Sequence, residues 1–533
     1  MKMTIQLKLS PSSEPREIEI EAGESLQDIA NRFQSECPYR IIAAKIGNRT
    51  LELTKHVEDP APVTLLDIRH NDANLIMQRT LSFIYYKAVK DVLGDVDVII
   101  GNSLNKGLFT YIEGWPEIPE DSLSAIEARM RELIESDLPI GRIIYPGEGP
   151  RTYVLGQTIA FFYGQMAPST GYTPIFELMK YKEGVILRFP HAADPERIPP
   201  YVDEPQMYRA FNEARKWADI LEIRYVDDLK KACETGRIRE VIQLSEALHE
   251  KSIAELADRI KAENKHIILI AGPSSSGKTT FARRLIIQLK VLGLHPLYIG
   301  MDDYYHEREE TPLGPDGKPD FESPEAIDIT LFQKQMNALL AGETVDIPHF
   351  NFVEGRKEFG KRIVQGRPDQ PIVLEGIHGL NEKLTADIPS EEKFKIYISP
   401  LTQLEIDSHN RIPTTDARML RRIVRDNQFR GYSAEKTIDQ WPKVRDGENR
   451  YIFPYNSKAD AFFNTSHIYE LAVLKKYAEP LLAEIEPDKV EFAEARRLLK
   501  FLRYFPTVED DSVIVNNSIL REFIGGSIFE TKD

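Results

Sequence analysis

Residues 266–289 read HIILIAGPSSSGKTTFARRLIIQL, and the order of textures in that stretch decides the architecture of the chain's second half. An unbroken apolar run reads as a buried strand. GPSSSGKT at 272–279 then fits the spacing G-x-x-x-x-G-K-[ST], and Phe281, Leu285, Ile286 and Leu289 follow at helical intervals. Strand, glycine-rich loop and helix in that order predict a phosphate cradle: Gly272 and Gly277 let the backbone wrap closely, and the amides from Ser274, Ser275 and Ser276 through Gly277, Lys278, Thr279 and Thr280 supply partial positive charge. Lys278 is placed to reach the terminal phosphates of a nucleoside triphosphate, and the Thr279 hydroxyl to hold Mg²⁺. The alternative, a chance Gly/Ser-rich turn, fits poorly with a strand before and a helix after.

Outward from the loop the pattern keeps alternating. PLYIG, IVLEG at 372–376 and FKIYIS at 394–399 are short β-rich runs separated by helical stretches, which predicts a parallel sheet covered by helices. Ligands of such sheets sit beyond the carboxyl ends of the strands. Asp302 and Asp303 of MDDYY fall there, where a carboxylate can take the proton of an attacking hydroxyl; a solvated loop acid is the bland alternative. Glu375 ends IVLEG and is the candidate metal-side acid. Between 418 and 430 lie Arg418, Arg421, Arg422, Arg425 and Arg430 against one acid, Asp426. Helical spacing sets the first four largely on one face, as expected either of a lid that neutralises a transferring phosphoryl group or of a salt-bridged solvated face. Together these features compose a kinase better than a hydrolase.

A chain of 533 residues is too long for one ordinary domain. With 42% hydrophobic and 29% charged residues it is neither collagen-like nor wholly disordered. Its 68 Lys+Arg against 84 Asp+Glu give −16, which disfavours bulk binding to nucleic acid or anionic membrane. Cys37 and Cys233 stand in no metal-ligand spacing, no run approaches a membrane span, and MKMTIQLKLS lacks the apolar core of a signal peptide, so a cytoplasmic protein is expected. Residues 1–67 read as a small α+β module with Ser25 capping a short helix. A second α+β region spans 68–205, with helices near 75–93 and 120–136 and strands at Val96–Gly101 and Gly184–Phe189. A helical connector follows over 206–262 with a break near Gly236, then the α/β unit at 263–480 with an Arg-rich helical stretch at 417–440, and a helical C-terminal extension at 481–533.

In order, GPSSSGKT, MDDYY, FESPEAID, VDIPHFNF, VLEGIHGL and RRIVRDNQFRG make residues 266–480 resemble the uridine-cytidine kinases of the phosphoribulokinase/uridine kinase superfamily. The resemblance implies that Asp302 is the base for a nucleoside 5′-hydroxyl, with Asp303 and Tyr305 beside the substrate. It sets Glu322, where the family usually has Asp, near the ribose hydroxyls, and Glu375 at the metal. Arg422, Arg425 and Arg430 correspond to lid arginines, and Gln440 to a further substrate-side residue. Departures gather where the base is read: Phe350 stands for a pocket Tyr, no His occurs in NFVEGRKE, and Tyr432 replaces an Arg.

The first 200 residues resemble the front of threonyl-tRNA synthetases, a ubiquitin-like TGS module followed by an editing domain. That domain normally carries H-x-x-x-H and C-x-x-x-H. Here the aligned pairs are Arg79 with Phe83 and Phe162 with Met166, so editing chemistry is not expected. Residues 1–67 hold 8 Lys/Arg and 11 Asp/Glu, which gives no electrostatic support for RNA binding. The whole predicts an ATP- and Mg²⁺-dependent kinase of a nucleoside 5′-hydroxyl, with Lys278, Asp302, Arg425 and Arg430 catalytic. Two rivals remain open: a kinase of a phosphosugar or other small alcohol, and a nucleotide-gated, RNA-associated regulatory protein. The expected partner is a small nucleoside-like molecule, with self-association an open question, and SILREFIGGS at 518–527 has no assigned purpose.

Overall fold

The computed structural model describes residues 2–144, 151–314, 317–351, 354–367 and 369–529. Phe352 and Val353 of VDIPHFNF and NFVEGRKE lie outside the described residues. The chain packs as two units: residues 1–204 together with Glu405–Arg411, and residues 205–404 together with 412–533.

The first unit begins with a five-stranded mixed sheet in the order Arg16–Glu21, Lys2–Lys8, Val63–Asp67, Ile41–Ile46, Arg49–Glu52. Alternation in the first strand buries Ile5 and Leu7 on one face, beneath the helix Leu26–Phe33. Ser25 starts that helix as the sequence predicts, accepting from the Asp28 amide at 3.1 Å. A four-stranded antiparallel sheet follows, in the order Glu177–Tyr181, Gly184–Arg188, Gly107–Ile112, Val98–Leu104, with helices Asn71–Leu93 and Glu120–Glu135. The first of these helices starts four residues before the expected 75, because the His70 ring accepts from the Asp72 amide at 3.2 Å and serves as the cap. The short hairpin Glu405–Asp407 and Asn410–Arg411 completes this unit.

The second unit is built on a parallel sheet of five strands: β1 (Ile267–Ala271), β2 (Leu297–Gly300), β3 (Ile372–Glu375), β4 (Lys393–Ser399) and β5 (Ala461–Asn464), in the spatial order β2-β3-β1-β4-β5. β1 is buried at every residue, as an apolar run in a doubly covered sheet must be. Register sets Glu375 level with Ile270 on one side and Gly300 on the other, so the loop after β1, the acids after β2 and the end of β3 open at one edge.

The connector packs in this same unit as α1 (Pro205–Leu221), α2 (Val226–Glu234) and α3 (Ile238–Ala262), with the break at Gly236. α3 lies along α4 (Lys278–Val291), where buried Arg284 donates to Glu250 at 2.6 Å. The Arg-rich stretch expected as helix over 417–440 is two helices, α5 (Thr414–Arg430) and α6 (Ala434–Tyr451). Gly431 takes φ +63°, a left-handed turn that ends the first, and the Ser433 hydroxyl caps the second by accepting from the Lys436 amide at 3.2 Å. α7 (Glu470–Ala483), α8 (Phe492–Leu502) and the one-turn α9 (Arg521–Ile524) complete the unit. Among the described residues no helix is long and apolar enough to cross a membrane.

Candidate active site

The loop after β1 is shaped from outside. Arg418 Nε donates to the Ser274 carbonyl at 3.0 Å, Arg421 Nη1 to the Ser275 carbonyl at 3.4 Å, and the Thr465 hydroxyl to the Ser276 carbonyl at 2.6 Å. In a trans peptide an outward carbonyl sets the next amide inward, so these anchors turn the N–H groups of Ser275 and Gly277 toward the loop's own hollow, while the Ser276 amide closes a turn on the Pro273 carbonyl at 3.2 Å. Gly277, at φ +83°, makes the turn into α4. The Ser275 and Ser276 hydroxyls are buried and have no hydrogen-bond partner among the described residues, a donor set suited to an anion. Gly272 is fixed by space: a Cβ there would stand 2.3 Å from the Ile398 carbonyl oxygen. Gly272→Ala is therefore expected to cost about 1–3 kcal/mol of stability and most of the loop's affinity for nucleotide; calorimetric titration with ATP beside thermal melting checks both.

Arg418 and Arg421 correct the expectation of an arginine face on a lid. Both are almost wholly buried, paired with Glu448 and Glu470, and lie under the loop as its support. Glu448 also accepts from the Ser274 amide at 3.1 Å. The remaining arginines behave differently. Arg422, Arg425 and Arg430 converge on buried Asp426 at 3.2, 3.1 and 3.3 Å. From there Arg422 reaches the Ser274 hydroxyl at 2.9 Å, and the charge of Arg430 lowers the pKa of Asp302. One buried acid thus gathers three cations beside the cradle.

Asp302 follows β2 and keeps a solvent-accessible face. The protein atoms crowded around it push its carboxyl above the ordinary carboxylate range, while Lys278 provides the largest opposing pull. Glu375 lies deeper. Burial raises its carboxyl to about 7 against the pull of Lys278, and Asp302 and Glu522 add to the rise. It accepts from the Thr279 hydroxyl at 3.3 Å and from the Tyr298 hydroxyl at 3.1 Å. Lys278, Thr279, Asp302 and Glu375 are brought together as the sequence predicts.

The acceptor-side candidates are more dispersed. Tyr305 and Phe350 pack at 5.9 Å between ring centroids, and the Tyr305 hydroxyl donates to the Phe321 carbonyl at 3.2 Å. Glu322 lies against α6, where a Cβ on Gly447 would stand 2.6 Å from its own Cβ, and burial raises its carboxyl to about 7 with Glu448 reinforcing and Arg422 opposing. Asp303 accepts from the Phe350 amide at 3.3 Å, holding the hairpin strands His349–Asn351 and Arg356–Glu358. Gln440 is half-buried on α6, and among the described residues no hydrogen bond joins it to the cleft. Glu448 and Glu522 were not singled out by sequence, since a lone acid on a helix carries no local signal of a partner far along the chain.

In the first unit, Phe83, Phe162 and Met166 are buried and Arg79 is half-buried. The Phe83 and Phe162 rings meet tilted, with centroids 5.2 Å apart, Met166 accepts from the Thr80 hydroxyl at 3.7 Å, and Arg79 donates to the Gln165 carbonyl at 3.4 Å. His409 of the hairpin sits on Tyr86 and Phe162 at 4.2 and 5.9 Å, and Asn410 donates to the Phe161 carbonyl at 3.0 Å.

A five-stranded parallel sheet, an amide-lined cradle at the carboxyl end of its central strand and an acid after the next strand define the second unit as a P-loop kinase. Residues 267–471 match the Phosphoribulokinase / Uridine kinase family. A uridine kinase of Ligilactobacillus salivarius is 30% identical over 200 residues, 37% of this chain and 84% of that one. One of Lactobacillus johnsonii is 31% identical over 195 residues, 36% and 83%. Among solved structures, "Structure of a Possible Uridine Kinase from Bacillus stearothermophilus" has a TM-score of 0.26 and 21% identity, over 39% of this chain and all of that one. The chain belongs to the phosphoribulokinase/uridine kinase family, and is accordingly a phosphotransferase that uses ATP and an alcohol acceptor.

Proposed function

We propose that the protein transfers the γ-phosphate of ATP to the 5′-hydroxyl of a nucleoside of the uridine or cytidine kind. The observation that carries this is geometric: the loop after β1 that bears Lys278, the acid Asp302 after β2 and Glu375 at the end of β3 open at one edge of the sheet, with the Thr279 hydroxyl on Glu375 at 3.3 Å. The amides of Ser275, Gly277, Lys278, Thr279 and Thr280 hold the phosphates, Arg425 and Arg430 neutralise charge as it spreads over the transferred group, and Asp302 orients and deprotonates the acceptor. Thr279 and Glu375 offer adjacent hard oxygens that fit Mg²⁺. Bound there, Mg²⁺ supplies charge neutralisation on the β- and γ-phosphates. Tyr305, Glu322, Phe350 and Arg422 are assigned to the acceptor side, with Asp303 supporting Phe350 through its amide.

Phe350 presents only an apolar edge beside Tyr305, which favours a second acceptor class, a phosphosugar or other small alcohol without a base to read. ADP release across a panel of nucleosides, sugars and sugar phosphates decides between them. A uridine or cytidine response at least about tenfold above every sugar supports the nucleoside, and a sugar phosphate as best acceptor overturns it.

The first unit is proposed as a TGS-like module and an editing-like domain retained as scaffold, in a cytoplasmic protein. The order of its first sheet supports this, as does the packing of Arg79, Phe83, Phe162 and Met166, residue types that cannot form a conventional zinc site.

A further inference from the structure

SILREFIGGS at 518–527, which sequence left without a purpose, lies against the cradle. Ser518, Ile519, Leu520 and Phe523 are fully buried. Ile519 Cγ2 is 2.5 Å from where a Cβ on Gly277 would stand, and the Phe523 ring lies 4.8 Å below the Arg421 guanidinium. That seating projects Glu522 of α9 onto the start of α4. Its carboxylate accepts from the Thr280 amide at 3.1 Å and from the Thr280 hydroxyl at 2.7 Å.

Thr280 is the third residue of α4, so its amide is one of the donors a helix cannot satisfy internally and a phosphate cradle offers to its ligand. Glu448, which also accepts from a cradle amide, is neutralised by Arg418 and Arg445 and belongs to the fixed frame. Glu522 has no cationic partner among the described residues. It stands instead near Glu375 and raises that group's pKa. A lone carboxylate occupying two donors of a site for a polyanion is an electrostatic competitor of that polyanion.

We propose that Glu522 is a built-in competitor for the nucleotide: in the free protein its carboxylate holds a phosphate seat on Thr280, and ATP binds by displacing it. This rests on the kinase reading of the same site. Ile519, Leu520 and Phe523 keep the segment docked, so rotation of one side chain suffices to clear the seat. Release of ADP is then assisted by the return of Glu522, which makes the C-terminal segment a regulator of nucleotide exchange.

The test uses the full chain. Titration with ATP and Mg²⁺ is compared for the wild type, Glu522→Gln and Glu522→Asp, with ADP release measured in parallel and melting temperature as a check on folding. Glu522→Gln is expected to bind ATP about tenfold more tightly, and Glu522→Asp, which keeps the charge, to stay near wild type. Should Glu522→Gln be poorly folded, the same titration on Glu522→Ala stands in its place. Equal or weaker ATP binding in the folded neutral variant overturns the competitor and leaves the kinase standing if ADP release persists. Absence of ATP binding in every protein, wild type included, overturns both.

Discussion

Asp302→Asn is expected to lower kcat by about 10²–10⁴-fold with ATP affinity changed little, the result of removing a general base while keeping its shape. The carboxyl stands at the end of β2 with one face open, and its two strongest electrostatic partners besides Asp303 are Lys278 and Arg430. Those cations belong to the phosphate side, so the amide variant should still bind nucleotide and should fail at the step in which the acceptor loses its proton. Single-turnover phosphorylation beside ATP titration separates the two. Turnover within about threefold of wild type would remove Asp302 from the chemistry.

Arg421→Ala is expected to destabilise the second unit by about 3–5 kcal/mol, because it strands Glu470 as an unpaired buried charge. Both side chains are essentially inaccessible, and Arg421 Nε and Nη2 each meet a Glu470 oxygen at 2.6 Å. The same guanidinium holds the Ser275 and Thr465 carbonyls, so the loss reaches the cradle directly. In a two-unit chain the informative midpoint is that of the thermal transition which ATP shifts; it should fall by roughly 10 °C. Arg421→Met with Glu470→Gln should recover part of the loss, since removing both charges removes the stranded one. A single Arg421→Ala variant that melts within a degree of wild type would refute the supporting role.

What could be read from sequence was whatever is written in neighbouring residues. The strand, loop and helix around Lys278 are contiguous, and so are the acids that end β2 and β3, so both the sheet and the grouping of Lys278, Thr279, Asp302 and Glu375 were legible. The arginines were legible as a cluster but not as two populations. Arg418 and Arg421 differ from Arg422 and Arg425 only by which side of α5 meets Glu448 and Glu470, and those partners come 30 and 49 residues later. The break at Gly431 was missed because one left-handed residue interrupts an otherwise helical periodicity, and the seating of Glu522 lay beyond reach because it pairs positions 242 residues apart. Short-range pattern specifies elements; which charge is quenched by which is settled by tertiary packing.

The hairpin at Glu405–Arg411 gives the molecule an interlocked gene architecture. Its flanks belong to the second unit, yet Asn410 and His409 complete the first, with the Ser408 carbonyl taking the Ile100 amide at 2.8 Å. No single cut of the coding sequence yields two whole proteins: a fragment ending at 204 lacks its own finishing strand pair, and one starting at 205 carries that pair as an orphan. Recombination that swaps the front half for another ancestry would have to exchange seven distant codons as well, so the two halves are bound to be inherited as one.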